Sequence, residues 1–183
     1  MSGRESITKI IVLSSIVLIF LMMNFGCCLK FTDLESGTEY NVGDTITTSG
    51  KDIIVNKFQY ASGVWTTSGS ARVDSRNYAQ GSGYDLNARN VNLNFKFDYP
   101  LSEITLKFGE LGGNNNIEIN GEFKNIRDLI ELNGTSLGGV QIIVNATQPE
   151  HNWYGMIILS GTINDFSIGG QELWLDDVCT KKQ

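Results

Sequence analysis

Residues 90–99 read NVNLNFKFDY. Val91, Leu93, Phe95 and Phe97 fall on one parity, and Asn92, Asn94, Lys96 and Asp98 on the other. A strand turns successive side chains to opposite faces, so this stretch is a strand with one face in a core and one toward water. The pattern spreads outward. In LSEITLKFGE (residues 101–110) Ile104, Leu106 and Phe108 share a face, and in NIEING (residues 116–121) Ile117 and Ile119 do the same. KDIIVNKFQ (residues 51–59) sets Ile53 and Val55 against Ile54, Asn56 and Phe58.

Turn signals separate these runs at Tyr99-Pro100, GGNNN (residues 112–116), Asn120-Gly121 and Asn133-Gly134. Asn120-Gly121 predicts a tight hairpin, because both residues tolerate the positive φ such a turn requires. KNIRDLIELNG (residues 124–134) alone has helical spacing, at Ile126, Leu129 and Ile130. Residues 66–90 carry the weakest pattern and read as a long solvated loop. About ten short strands without a long helix predict an all-β fold, a jelly-roll β-sandwich of two antiparallel sheets, with a barrel as the alternative.

The chain begins differently. Arg4 and Lys9 precede the apolar run IIVLSSIVLIFLMM (residues 10–23). A positive region followed by a short apolar stretch has the layout of an export signal, and a spanning helix needs roughly 20 apolar residues. Residues 1–26 are therefore expected to be a signal peptide or a helical membrane anchor, with residues 28–180 forming the sandwich. Gly26 before Cys27 resembles a lipoprotein signal, which makes Cys27 the lipidation candidate. Asn24 stands where such signals usually carry Leu. The expected location is secreted or cell-surface, with membrane contact only through this segment or a lipid.

The whole chain has 14 basic and 20 acidic residues, a net charge of −6. Without residues 1–26, which hold Arg4, Lys9 and Glu5, the net charge is −7. An acidic surface without a basic stripe argues against nucleic acid as a partner. Catalytic signatures are sparse. His151 is the single histidine, and no glycine loop precedes a helix to cradle phosphate. No serine is read as a nucleophile elbow and no carboxylate pair stands out, so the expectation is a protein that is not an enzyme.

In an exported protein a disulfide is the default for paired thiols. Cys179 can bridge to Cys28 or to Cys27, tying the first strand to the last. A lipid on Cys27 and a Cys28–Cys179 bridge would use all three cysteines. If the terminal strands are neighbours, FTDLESG (residues 31–37) lies beside LWLDDV (residues 173–178). Period two then sends Asp176 and Asp177 to opposite faces, so one of them could meet Asp33 or Glu35. Carboxylates gathered at a sandwich edge repel unless a cation sits among them, and Ca²⁺ accepts carboxylates mixed with backbone carbonyls.

FTDLESGTEYNVGD near the start and LWLDDVC at the end resemble the two ends of galactose-binding-like jelly rolls, the architecture of many carbohydrate-binding modules. The run from ITLKFGELGG to IGGQELWLDDVC also looks like exported bacterial and archaeal proteins of that architecture. The resemblance implies a structural Ca²⁺ held by Asp33, Glu35 and one of Asp176 and Asp177. Thr32 departs from the usual opening acid.

Sugar sites pair aromatic faces with amides or acids that bond hydroxyls. Trp65, Tyr78, Tyr84, Trp153 and Tyr154 are the candidates, each beside turn residues, whereas Trp174 reads as strand packing. Asn133-Gly-Thr135 and Asn145-Ala-Thr147 match the glycosylation acceptor pattern. Together these features predict an extracellular or cell-surface binding module for glycan. A structural or adhesion protein acting through protein contacts, and a glycan-active hydrolase, are the alternatives.

Overall fold

A computed structural model describes residues 28–148 and 152–183. The expected signal or anchor at residues 1–26, lipidation of Cys27 and His151 lie outside the described residues.

Residues 91–95 of the alternating stretch become a central strand of a two-sheet, all-β sandwich, and residues 96–99, with a partly buried Phe97, lie beyond its end. The larger sheet has nine antiparallel strands. In spatial order it begins with β12 (Thr135–Leu137), β13 (Val140–Thr147), β14 (Trp153–Ile163) and β9 (Leu101–Glu110). It continues through β16 (Leu173–Lys182), β7 (Asp85–Arg89), β6 (Ser70–Asp74) and β2 (Glu39–Asn41). The short β1 (Cys28–Leu29) also pairs with β16. The smaller sheet, of seven strands, runs β11 (Glu122–Ile126), β10 (Asn115–Ile119), β15 (Phe166–Gly170) and β8 (Val91–Phe95). It ends with β4 (Lys51–Gln59) and β3 (Thr45–Thr48), and β5 (Trp65–Thr66) pairs with β4.

The sequence shows about ten strands, and the described residues form sixteen. The difference lies mostly in elements of two to four residues, too short to display a period. Two longer strands, β6 and β7, fall inside the stretch expected to be loop. Their inward residues are Ala71, Val73, Leu86 and Ala88, a weak apolar signal diluted by outward Asp, Asn and Arg.

One core fills the space between the sheets. Val55, Leu93, Ile168 and Ile117 meet Leu106, Phe108, Ile157 and Leu175, all essentially inaccessible to water. The β10–β11 hairpin turns at Asn120 (φ 52°) and Gly121 (φ 81°), as the pair predicts. Asn120 also donates to the carbonyls of Gly138 and Thr162, both at 2.8 Å, which moors the turn to the other sheet. The expected helical turn divides: Lys124 to Ile126 finish β11, and Leu129–Leu132 make one turn of 3₁₀ helix. Asp128 N–H donates to Glu131 at 3.0 Å at its start.

Cys28 and Cys179 form a disulfide across the β1–β16 pair, 151 residues apart in sequence. The terminal strands are therefore neighbours, as expected. After Leu29 the chain turns away from β16, through Phe31 at φ 56° and a Leu34 N–H to Phe31 carbonyl bond of 3.1 Å.

Candidate functional site

On β16, Leu173 and Leu175 point into the core, so Trp174 and Asp176 point outward. Cα pairing places Tyr154, Gly109, Trp174 and Asn87 in one row across β14, β9, β16 and β7. The next row holds Met156, Lys107 and Asp176. Gly109 opens a gap between two aromatic residues, and residues 75–84 fold back over it. A methyl group at Gly109 would lie 2.5 Å from the Tyr78 carbonyl oxygen, so the loop and the sheet touch there.

Carboxylates hold this loop down. Asp85 Oδ2 accepts from the N–H groups of Tyr78 at 2.5 Å and Ala79 at 3.1 Å. Asp176 Oδ2 accepts from Gly83 N–H at 2.7 Å. Asp177 accepts from Ser82 through its N–H at 3.1 Å and its hydroxyl at 2.6 Å. Lys107 Nζ donates to the Gln80 carbonyl at 2.9 Å and stands 3.7 Å from Asp177.

Two adjacent aspartates reach one loop because the strand is not regular. Asp176 pairs with Lys107 but Cys179 pairs with Thr105, so β16 carries one extra residue, and Asp177 has φ 46°. A β-bulge of this kind re-aims side chains. It overturns the expectation that Asp176 and Asp177 face opposite ways.

Asp85 and Asp176 are fully covered by the loop they hold. Burial pushes the Asp85 carboxyl up to about 7, against the opposing effect of its two backbone donors. Burial also raises Asp176. Among the described residues Asp85 Oδ1 has no hydrogen-bond partner. A third buried acid, Glu110 at the end of β9, is likewise pushed up to about 7 by burial. Glu110 accepts from Asn115 at 2.7 Å and from Leu129 N–H at 3.2 Å.

The clasped loop makes a groove. Tyr78 lies with its ring centroid 4.7 Å from that of Trp174 at 44°, and Trp174 Nε1 is 3.5 Å from Asp74 Oδ2. Trp174 is 6% exposed and Tyr78 40%, so Tyr78 forms the accessible wall and Trp174 its backing. A hollow of about 230 Å³ is lined by Asn77, Tyr78, Trp174, Asn152, Trp153 and Tyr154. An adjoining one of about 540 Å³ shares Gln80 and Tyr154 and continues over Lys107, Asn145 and Thr147.

Three of the five predicted ligand aromatics, Tyr78, Trp153 and Tyr154, thus line one groove. Trp153 packs partly against the core. Trp174 is buried and packed, as expected, but it packs on the outer face against Tyr78, where strict alternation from Leu173 and Leu175 places it. Tyr84 packs against the core, its N–H bonded to the Lys30 carbonyl at 2.9 Å. Trp65 is on the other sheet. Asn77, Gln80 and Lys107 carried no motif; Gly109 inside a strand was the one sign of a close approach.

The candidate calcium ligands, Asp33, Glu35 and one of Asp176 and Asp177, do not gather. Asp33 accepts from the Thr48 hydroxyl at 2.6 Å and Ser49 N–H at 2.7 Å, bonds that hold its carboxyl below the usual range. Glu35 is exposed in the turn closed by its carbonyl and Thr38 N–H. Asp176 and Asp177 are engaged with the loop. Among the described residues no group of three or more His, Cys, Asp or Glu side chains could hold a metal ion. These residues do not fit a shared calcium.

Residues 134–138, GTSLG, do spell the letters of a nucleophile elbow. Ser136 lies in β12 opposite Gln141, within a hairpin and not on a strand-to-helix turn, so the pattern lacks the geometry that activates a serine.

The chain matches no known family model, no curated protein and no solved structure. What defines it is the fold and the site: an all-β sandwich with a terminal disulfide and an aromatic groove under a clasped loop.

Proposed function

We propose that the protein is a non-enzymatic, secreted or cell-surface binding module whose groove beneath residues 75–84 takes a glycan. The observation that carries this reading is the Tyr78 face, propped on Trp174 and bordered by Tyr154, with the amides of Asn77, Gln80 and Asn152 around it. A ring face accepts the apolar side of a pyranose, and amides both donate to and accept from its hydroxyls.

Other features support parts of the proposal. The Cys28–Cys179 bridge suits an oxidising, extracytoplasmic setting. Adjacent terminal strands and two antiparallel sheets accord with a galactose-binding-like jelly roll. Fold by itself does not carry sugar binding, which is why the groove bears the argument. Membrane contact, in this reading, runs through the N-terminal segment or a lipid, and nucleic acid is not a partner. Calcium is left out because Asp33, Asp176 and Asp177 are bonded to protein groups and Glu35 stands apart from them in an exposed turn.

A glycan array probed with the purified, disulfide-intact protein tests the proposal. Retention on one or more neutral glycans, weakened by Tyr154→Ala, is expected. A folded protein that ignores every glycan but captures an envelope protein would replace this reading with the adhesion alternative.

A further inference from the structure

The outer face of the smaller sheet carries a second feature, independent of the clasped loop. Val55, Leu93, Ile168 and Ile117 form its core-facing row, so the rows on either side point outward. Cα pairing makes one outward row of Asn56, Asn92, Gly169, Asn116 and Asn125 across five strands. Beside it run Ile54, Asn94, Ser167, Glu118 and Phe123. Within the amide row Asn116 and Asn125 are tied to each other at 2.7 Å and Asn125 to the Gln59 carbonyl at 2.7 Å, Asn92 is buried, and Asn56 is exposed.

A trough of about 580 Å³ lies on these rows, lined by Trp65, Asn56, Asn92, Glu118 and Ser167. Trp65 is held in place while half of it stays open to solvent. It pairs with Gln59 through β5, and its ring stands 5.5 Å from Phe123. The turn before it closes by Tyr60 N–H to the Val64 carbonyl at 2.9 Å. Asn114 grips both sides of that turn, accepting from Ala61 N–H at 3.2 Å and donating to the Gln59 carbonyl at 3.1 Å. Trp65 is nevertheless 50% exposed. A large aromatic fixed by this many contacts and left open is the arrangement of a binding anchor.

The floor points to the kind of ligand. Asn92 Nδ2 donates to the Lys57 carbonyl at 2.7 Å, which fixes that amide at the floor. Among the described residues the side chains of Asn56, Ser167 and Glu118 make no hydrogen bond to protein. Lys57 and Glu118, both lining the trough, cancel in charge, so nothing selects an anion such as phosphate or a uronate. An extended peptide adding to a sheet needs a free edge, and the trough lies on a face. Mixed donors and acceptors beside one exposed indole fit a neutral sugar.

We propose that this trough is a second carbohydrate site, for a neutral saccharide stacked on Trp65, on the opposite sheet from the first groove. The inference rests on the glycan reading of the chain but not on the first groove. Two sites facing away from each other would let one chain bridge two glycan strands, with avidity set by their spacing and not by either contact alone.

The test is a ¹⁵N NMR titration of the disulfide-intact protein with neutral hexasaccharides of glucose, mannose and galactose. The expected result is movement of the Trp65 indole N–H and of the Asn56 and Asn92 side-chain amides. Trp65→Ala should then weaken that binding about tenfold or more. Asn56→Ala, an exposed change that leaves the fold intact, should weaken it several-fold. Movement confined to the Trp153 and Trp174 indoles would overturn this second site and leave the first groove standing. Movement at Trp65 alone would establish the second site and remove the first. No movement at any of the three indoles in a folded protein would overturn both.

Discussion

The two outer faces of the sandwich treat polar groups in opposite ways. On the larger sheet a loop lies over β9 and β16, and three aspartates, two of them fully buried, anchor it through backbone N–H groups. On the smaller sheet the outward polar groups are mostly neutral amides in register; Asn92 and Asn116 are buried, and Asn56 and Trp65 are open to solvent. Buried carboxylates give a rigid, shaped groove whose stability depends on protonation. Amide rows give a flatter surface indifferent to pH. One core thus supports two surfaces that should respond differently to the same perturbation.

The largest expected effect comes from the disulfide. A bridge closing this much chain stabilises by about 4–5 kcal/mol in the chain-entropy model. Replacing Cys28 and Cys179 by Ser should therefore lower the melting temperature by about 10–20 °C. Cys179 lies three residues past Asp176, so hydrogen exchange should rise more at residues 75–84 than around Trp65. Equal loosening of both faces would break the contrast.

Protonation comes next. Asp85 and Glu110 have folded-state values of about 7, above their ordinary 3.8 and 4.5. Between those limits the native state binds more protons than the unfolded chain. Their contribution is therefore fully present near pH 4 and lost as pH rises through about 7. The melting temperature should fall between pH 5 and pH 8, and Asp85→Asn should flatten part of that slope. A slope unchanged in the variant would show that Asp85 is not the titrating group.

Gly109→Ala sharpens the comparison at a single atom. The added methyl meets the Tyr78 carbonyl at 2.5 Å, so loop or strand must shift at a cost of about 1–3 kcal/mol. Thermal melts should register that loss, and glycan binding should drop in the loop-covered groove while the Trp65 trough is spared. The smallest effect expected is that of EDTA. With Asp33 bonded to Thr48 and Ser49, and Asp176 and Asp177 bonded to the loop, chelation should leave the melting temperature within about 1 °C, inside the ordinary scatter of minor perturbations. A clear drop would restore a structural calcium.

Much of the scaffold is legible in the sequence because it depends on neighbours along the chain. Alternation in residues 91–95 and the Asn120-Gly121 turn follow from local rules, whereas the pairing of β1 with β16 was legible only through the cysteines. The site is legible only in part. Alternation from Leu173 and Leu175 contains the outward direction of Trp174, but an apolar residue between two leucines reads as packing. The bulge at Asp177 has no local signature, and it alone turns both aspartates toward Ser82 and Gly83. The fold of residues 75–84 is written in acids as distant as Asp176, which no window along the chain can see. The band of asparagines on the smaller sheet was visible residue by residue, but only cross-strand register assembles it.

Titration calorimetry with a neutral glycan selected by array, comparing the wild type with Tyr78→Ala, tests the central claim most directly. The backbone anchors of Tyr78 to Asp85 are independent of its ring, so the variant should stay folded, with the lost contact to Trp174 lowering the melting temperature by only about 1–6 °C. The expected result is an affinity lowered about tenfold or more in the variant, as loss of a stacking aromatic anchor entails. Equal affinities in two folded proteins, or no glycan binding by the wild type, would contradict it.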